Sequence, residues 1–106
     1  MSAKETAVTS EPVVAERRGS VLVITLNRPE VRNSVNAALA AGVAGALDEL
    51  DGDEGLLVGV VTGAGGFFSA GMDLGAFVKG ESPWFGDRGF AGIAQRAARK
   101  PLIAAI

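Results

Sequence analysis

From Val13 the chain carries two apolar, β-branched runs, Val13 to Arg17 and Val21 to Leu26, separated by Arg18-Gly19-Ser20. A break of that length closes an antiparallel hairpin, and the second run, the more apolar of the two, is predicted to lie deeper. Asn27-Arg28-Pro29 ends it, because proline has no N–H to give to a ladder and pushes the residue before it towards extended geometry. A loop from Asn27 to Arg32 follows. The pattern then changes period: Val35, Leu39, Val43, Leu47 and Leu50 form one helical stripe, with Asn33 or Ser34 as its expected cap. Gly42 and Gly45 inside an exposed helix would each cost about 1 kcal/mol relative to alanine, so both are predicted to admit another element closely. The stretch "DGDEG" turns the chain, and the unbroken apolar run Leu56 to Thr62 predicts a strand covered on both faces.

Beyond it, a short helix is expected around Asp73 to Val78, then a glycine-rich and charged segment, "KGESPWFGDRGF", whose part from Lys79 to Gly89 reads as a mobile surface loop. Phe90, Ile93, Ala94 and Ala97 recur at helical spacing up to the break at Lys100-Pro101, where Arg99 and Lys100 form a solvated helix end. "LIAAI", Leu102 to Ile106, is expected to be a strand inside a sheet. Strand, helix, strand, helix, strand predicts an α/β unit with a largely parallel sheet.

Composition narrows what such a unit can do. At 106 residues there is room for one domain, divided here into a mobile tail, 1–12, and a folded portion, 13–106. A formal net charge of -2, from 10 basic and 12 acidic residues, offers no broad basic field, so neither nucleic acid nor a membrane surface is an expected partner. There is no cysteine and no histidine, which removes disulfides, thiolate metal sites and the commonest general base. No metal site is expected, and acid–base chemistry would fall to carboxylates or the backbone. The opening "MSAKETAVTSEP" lacks the apolar centre of a signal peptide, and no run approaches the ~20 apolar residues of a membrane span, so a cytoplasmic location is expected.

The stretch that packing alone does not explain is "VVTGAGGFFSAGMDL", Val60 to Leu74. A tight strand-to-helix turn accounts for its glycines but not for Phe67-Phe68 running at once into small and polar residues. A phosphate cradle would need Gly-Lys-Ser/Thr after the glycines, or glycine where Phe68 stands, and has neither. The remaining reading is an oxyanion site, with a backbone N–H exposed by the Gly71 turn and aimed at a carbonyl oxygen that gains charge during reaction. Met72 would carry that N–H.

Together with "LNRPEVRNSVN" before it and "KPLIAAI" after it, this stretch resembles the N-terminal portion of the enoyl-CoA hydratase/isomerase, or crotonase, superfamily, in the same order over residues 16–106. The resemblance implies an α/β, crotonase-like ββα spiral of which this is the N-terminal part. It implies acyl-CoA thioester substrates, enoyl-CoA hydration as the expected reaction, and a homotrimer or hexamer. No cofactor would be bound permanently, since coenzyme A enters as part of the substrate. It gives the Met72 N–H the role of first oxyanion donor. It places Ala70, Gly71, Met72, Asp73 and Leu74 along the adenine end of CoA, with Glu30, Val31 and Arg32 by the pantetheine and phosphates. The second donor and the catalytic carboxylates would lie beyond Ile106, so a longer polypeptide is expected and residues 1–106 alone are expected to be inactive. The alternative is a truncated, non-catalytic homologue acting through CoA binding or subunit association. Asp73 itself is expected to be an ordinary acid in the first turn of a helix. Trp84, Phe85 and Phe90 either line the acyl pocket or anchor the loop that carries them.

Overall fold

The structure, a computed structural model, describes residues 11–96 and 99–106. Residues 1–10 of the expected tail, and Ala97 of the expected third helical stretch, lie outside the described residues. Strands β1 (Val13–Arg18) and β2 (Val21–Leu26) form the antiparallel hairpin, turning at Gly19 with φ 61°. The first residues before it are tied down: Asn27 donates its backbone N–H to the Pro12 carbonyl and its Nδ2 to the Glu11 carbonyl. Helix α1 (Ala37–Gly52) then crosses the sheet to β3 (Val58–Gly63), which runs parallel to β2 with Ile24 opposite Val61. After the short helix α2 (Leu74–Val78), β4 (Leu102–Ala104) pairs parallel to β3, giving the order β1-β2-β3-β4.

The core lies between α1 and one face of this sheet. In β2 the alternation is visible directly: Leu22, Ile24 and Leu26 are buried, and Val21, Val23 and Thr25 are half-buried. Leu39, Leu47 and Leu50 of α1 are fully buried in the same cluster, each such side chain contributing about 1.5–3 kcal/mol by leaving water. Gly59 of β3 sits under the contact, for a Cβ there would stand 2.8 Å from both Leu50 Cδ2 and Leu102 Cδ1.

Several sequence expectations are corrected. The cap of α1 is Asn36, whose side chain accepts from the Leu39 N–H at 2.9 Å, and not Asn33 or Ser34. Val35 consequently lies outside the helix, in an extended stretch. Of the two helix glycines only Gly42 serves close approach, with Val13 where a Cβ would go; Gly45 is exposed and meets nothing within 4 Å. β3 buries Gly59 and Val61 but leaves Val58 and Val60 half-buried, so only one of its faces is fully covered. No helix forms from Phe90 to Arg96: Ala91 and Gly92 take φ 58° and 75°, and Gly92 abuts the Ala40 carbonyl and Ala44, which leaves a run of turns. The strand expected over Leu102 to Ile106 is shorter, β4 ending at Ala104, and among the described residues it pairs with β3. Lys100 is no solvated helix end. Its Nζ donates to the carbonyls of Leu50 (2.6 Å), Asp53 (2.7 Å) and Leu56 (2.7 Å), which tethers the C-terminal end of α1, where orphan carbonyls favour a cation.

Candidate functional site

Two loops leave the same end of the parallel strands. The first, after β2, makes a single 3-10 turn at Pro29–Val31 and then places Arg32 and Asn33 in consecutive left-handed conformations, φ 55° and 56°. The second, after β3, turns through Gly65 and Gly66 (φ 77° and 87°) and again at Gly71 (φ 96°). Each of those glycines takes a backbone conformation that L side chains adopt only at a cost.

The loops are laid side by side by their backbones. Ala70 donates to the Arg32 carbonyl at 2.9 Å, Val35 to the Gly71 carbonyl at 2.6 Å, and Asp73 to the Val35 carbonyl at 2.9 Å. Ser69 Oγ donates to the Asn33 carbonyl at 2.8 Å and accepts from the Gly71 N–H at 3.1 Å. Val35 and Met72 thus form a parallel bridge in which Val35 spends both its backbone groups on the neighbours of Met72. In that pattern the N–H and C=O of Met72 face away from the partner segment. No acceptor meets the Met72 N–H among the described residues.

The two groups of residues singled out in the sequence are therefore brought together. Ala70, Gly71, Met72 and Asp73 lie in the paired stretch, and Leu74, 65% exposed, opens α2. Arg32 lies across the pairing, its guanidinium 5.3 Å from the centre of the exposed Phe67 ring, a cation–π separation. Glu30 and Val31 are exposed on the 3-10 turn just before it. Asp73 is the cap of α2, its Oδ1 accepting from the Ala76 N–H at 3.0 Å, while its Oδ2 pairs with Arg28 Nη1 at 3.0 Å. The Ala76 N–H, and after it the Arg28 guanidinium, hold the Asp73 carboxyl below its ordinary range.

Two further residues shape the site. Asn33 is fully buried; its Nδ2 approaches the carbonyls of Ala64, Phe67 and Phe68 at 3.0, 2.9 and 3.1 Å, and its Oδ1 accepts from the Arg28 N–H at 2.8 Å. Arg28 Nη1 also donates to the Ser34 carbonyl at 2.7 Å. By sequence alone Asn33 is a candidate helix cap and Arg28 the residue before a proline. The available signal was an asparagine and an arginine inside the same short motif, "NRPEVRN", ahead of the first apolar helical residue.

Beside the loops, between α1 and the sheet, lies an apolar cavity of about 280 Å³ whose walls include Val35, Leu39, Phe68, Ser69, Phe90 and Ile93. Of the three aromatic residues left open by sequence, Phe90 faces it. Trp84 stands edge-on to Phe90, 5.6 Å between ring centres and 80° between planes, and Phe85 is 39% exposed. Among the described residues no three His, Cys, Asp or Glu side chains converge as metal ligands, and no helix is long and apolar enough to cross a membrane.

A model of the enoyl-CoA hydratase/isomerase family matches residues 16–106. The chain is 39% identical over 100 residues to the enoyl-CoA hydratase EchA19 of Mycobacterium tuberculosis, covering 88% of this chain and 38% of that protein. It is 42% identical over 101 residues to a carnitinyl-CoA dehydratase of Escherichia coli, covering 92% and 38%. The crystal structure of the enoyl-CoA hydratase EchA1 from Mycobacterium marinum superposes with a TM-score of 0.88 at 52% identity, over 92% of this chain and 38% of that one. The chain thus spans about 38% of the length of the relatives it matches. With a family model matching 16–106 and the same α/β fold in solved hydratases, this chain belongs to the enoyl-CoA hydratase/isomerase family and forms an N-terminal portion of the crotonase fold.

Proposed function

We propose that the chain is the CoA-binding, oxyanion-stabilising portion of an acyl-CoA enzyme that hydrates an enoyl-CoA. The observation that carries this reading is the Met72 N–H, left without an acceptor among the described residues next to the left-handed turn at Gly71. Addition of water to the double bond places hydroxide on C3 and electron density on the thioester oxygen, and a proton then reaches C2. A fixed N–H aimed at that oxygen is stronger there than in water and needs no reorganisation as the charge grows. Ala70 to Leu74 would take the adenine end of CoA, and Glu30, Val31 and Arg32 the pantetheine and phosphates. The apolar cavity beside Phe68 and Phe90 suits the acyl chain. We place the acid, the base and the second oxyanion donor outside residues 1–106, and the assembly as a cytoplasmic homotrimer or pair of trimers. Coenzyme A is then substrate, with no resident cofactor.

One of the relatives is named a dehydratase. Removing water across the same bond passes through the same enolate, so the role of Met72 holds in either direction. Substitution tests it in the full-length polypeptide. Met72→Ala keeps the N–H and is expected to change turnover of crotonyl-CoA modestly, whereas Met72→Pro removes the donor and is expected to lower kcat about 100- to 1000-fold. Equal losses in the two variants, both folded, would dismiss the backbone role.

A further inference from the structure

The loop that presents Met72 is held at both ends by three side chains to which nothing so far assigns a part in the chemistry. At its upstream end Asn33 Nδ2 holds the carbonyls of Ala64, Phe67 and Phe68. At its downstream end Asp73 caps α2 and pairs with Arg28. Arg28 joins the two ends, for its backbone N–H is bonded to Asn33 Oδ1 and its guanidinium to Asp73 Oδ2 and the Ser34 carbonyl. Met72 lies between these anchors and is bonded through neither of its own backbone groups to the paired loop.

We propose that Asn33, Arg28 and Asp73 form a two-ended clamp that fixes the direction of the Met72 N–H, and are positioning residues for the reaction at that group. This rests on the reading of Met72 as an oxyanion donor. The physical demand is geometric: an N–H gains its advantage only if it already points at the developing charge, and a displacement of about 1 Å costs about 100-fold in rate. A glycine loop with several left-handed residues has no intrinsic reason to hold one direction. Asn33 supplies the restraint because it is wholly buried and its NH₂ group meets three carbonyls of the loop. Arg28 and Asp73, each with an 18% exposed side chain, supply the other end.

The test uses the full-length polypeptide, Asn33→Asp and Asp73→Asn, steady-state hydration of crotonyl-CoA, and amide hydrogen exchange. Asn33→Asp keeps the acceptor for the Arg28 N–H and loses the donors; Asp73→Asn keeps the cap oxygen and loses the charge facing Arg28. Each is expected to lower kcat about 10- to 100-fold with KM within about threefold of the parent, the pattern of an interaction made in the transition state. Exchange across 64–73 should quicken about tenfold while the α1 peptide 39–50 stays protected, which general destabilisation would not produce. Unchanged exchange across 64–73 in both folded variants overturns the clamp. Quickened exchange with parental kcat overturns its positioning role. If Asn33→Asp fails to fold, Asp73→Asn decides by the same criteria. A parent that does not hydrate crotonyl-CoA sinks the functional reading instead, and exchange then decides the clamp by itself.

Discussion

Two glycine-rich segments, 63–73 and 79–96, look alike in composition and are built differently. The backbone of the first is bonded to a different stretch of chain, residues 32–35, and its carbonyls are gathered by the fully buried Asn33. The backbone of the second is bonded to the adjoining α2 and within itself: Glu81 donates to Ala76, Phe85 to Gly89, Ala91 to Pro83 and Gln95 to Arg88. It reaches α1 through the Gly92 backbone, which packs on Ala40 and Ala44, and through side chains. Arg88 pairs with Asp48 at 3.0 Å with 30% and 61% of the two side chains exposed, Arg96 pairs with Asp51 with only 7% and 13% exposed, and Glu81 accepts from the Ala37 N–H at 3.2 Å. Glycine content therefore says little about how firmly a loop is held. What differs is the kind of anchor: the first segment is held by a buried amide bonded to distant backbone carbonyls, the second by ion pairs of which Arg88–Asp48 is partly exposed. An unmade buried hydrogen bond costs more than a lost exposed ion pair.

The sharpest way to break this comparison is to remove one anchor from each segment. Asn33→Ala leaves loop carbonyls without a donor and is expected to destabilise the fold by about 3 kcal/mol, read as a fall in the urea midpoint. A loss under about 0.5 kcal/mol would put the two loops on the same footing. Next come the glycines that pack against or lie within α1. Gly92→Ala must place a Cβ on the Ala40 carbonyl at a left-handed φ and is expected to cost about 2 kcal/mol. Gly45→Ala, exposed with nothing within 4 Å, should stabilise by about 0.5–1 kcal/mol in the same melt.

Acid sharpens the contrast further. The Asp73 carboxyl is held below its ordinary range by the Ala76 N–H and Arg28, and Asp53 likewise by the Gly55 N–H and Arg17. A lowered folded pKa means stability that is fully present above the unfolded carboxylate value, about 3.9, and is lost as pH falls through the lower folded value. Exchange in α2 is therefore expected to quicken only below about pH 4, and Asp73→Asn should abolish that step. The smallest effect is expected at Arg88→Ala: one partly exposed ion pair, about 0–1 kcal/mol, with a matching sensitivity of segment 79–96 to salt.

Much of the scaffold could be read before any coordinates. The period of two in β2 and the three- and four-residue steps from Leu39 to Leu50 follow from burying one face of a strand or helix, which is a local property of the pattern. The apolar run of β3 and the hairpin turn at Gly19 are local in the same sense. The position of Met72 after Gly71 was legible too, since a turn that needs a left-handed residue announces itself by glycine. The misread elements share a different cause. Phe90 to Arg96 has helical spacing, yet contact of Gly92 with α1, some 50 residues earlier in the chain, imposes a backbone that no helix can adopt.

The sequence by itself determined the hairpin, α1 and β3 with the apolar faces that make the core, and that residues 1–106 contain no histidine or cysteine, because each depends only on residue type and short-range spacing. Tertiary structure alone decided what the polar residues do. Asn33 carries the local signature of a helix cap, but the carbonyls that its Nδ2 meets are 31, 34 and 35 residues away; Lys100 resembles a solvated lysine, but its three carbonyls are 44 to 50 residues away. A hydrogen-bonding group takes whichever partner the fold brings within about 3 Å, and that distance is set by the packing of α1 and the sheet, which no local pattern records.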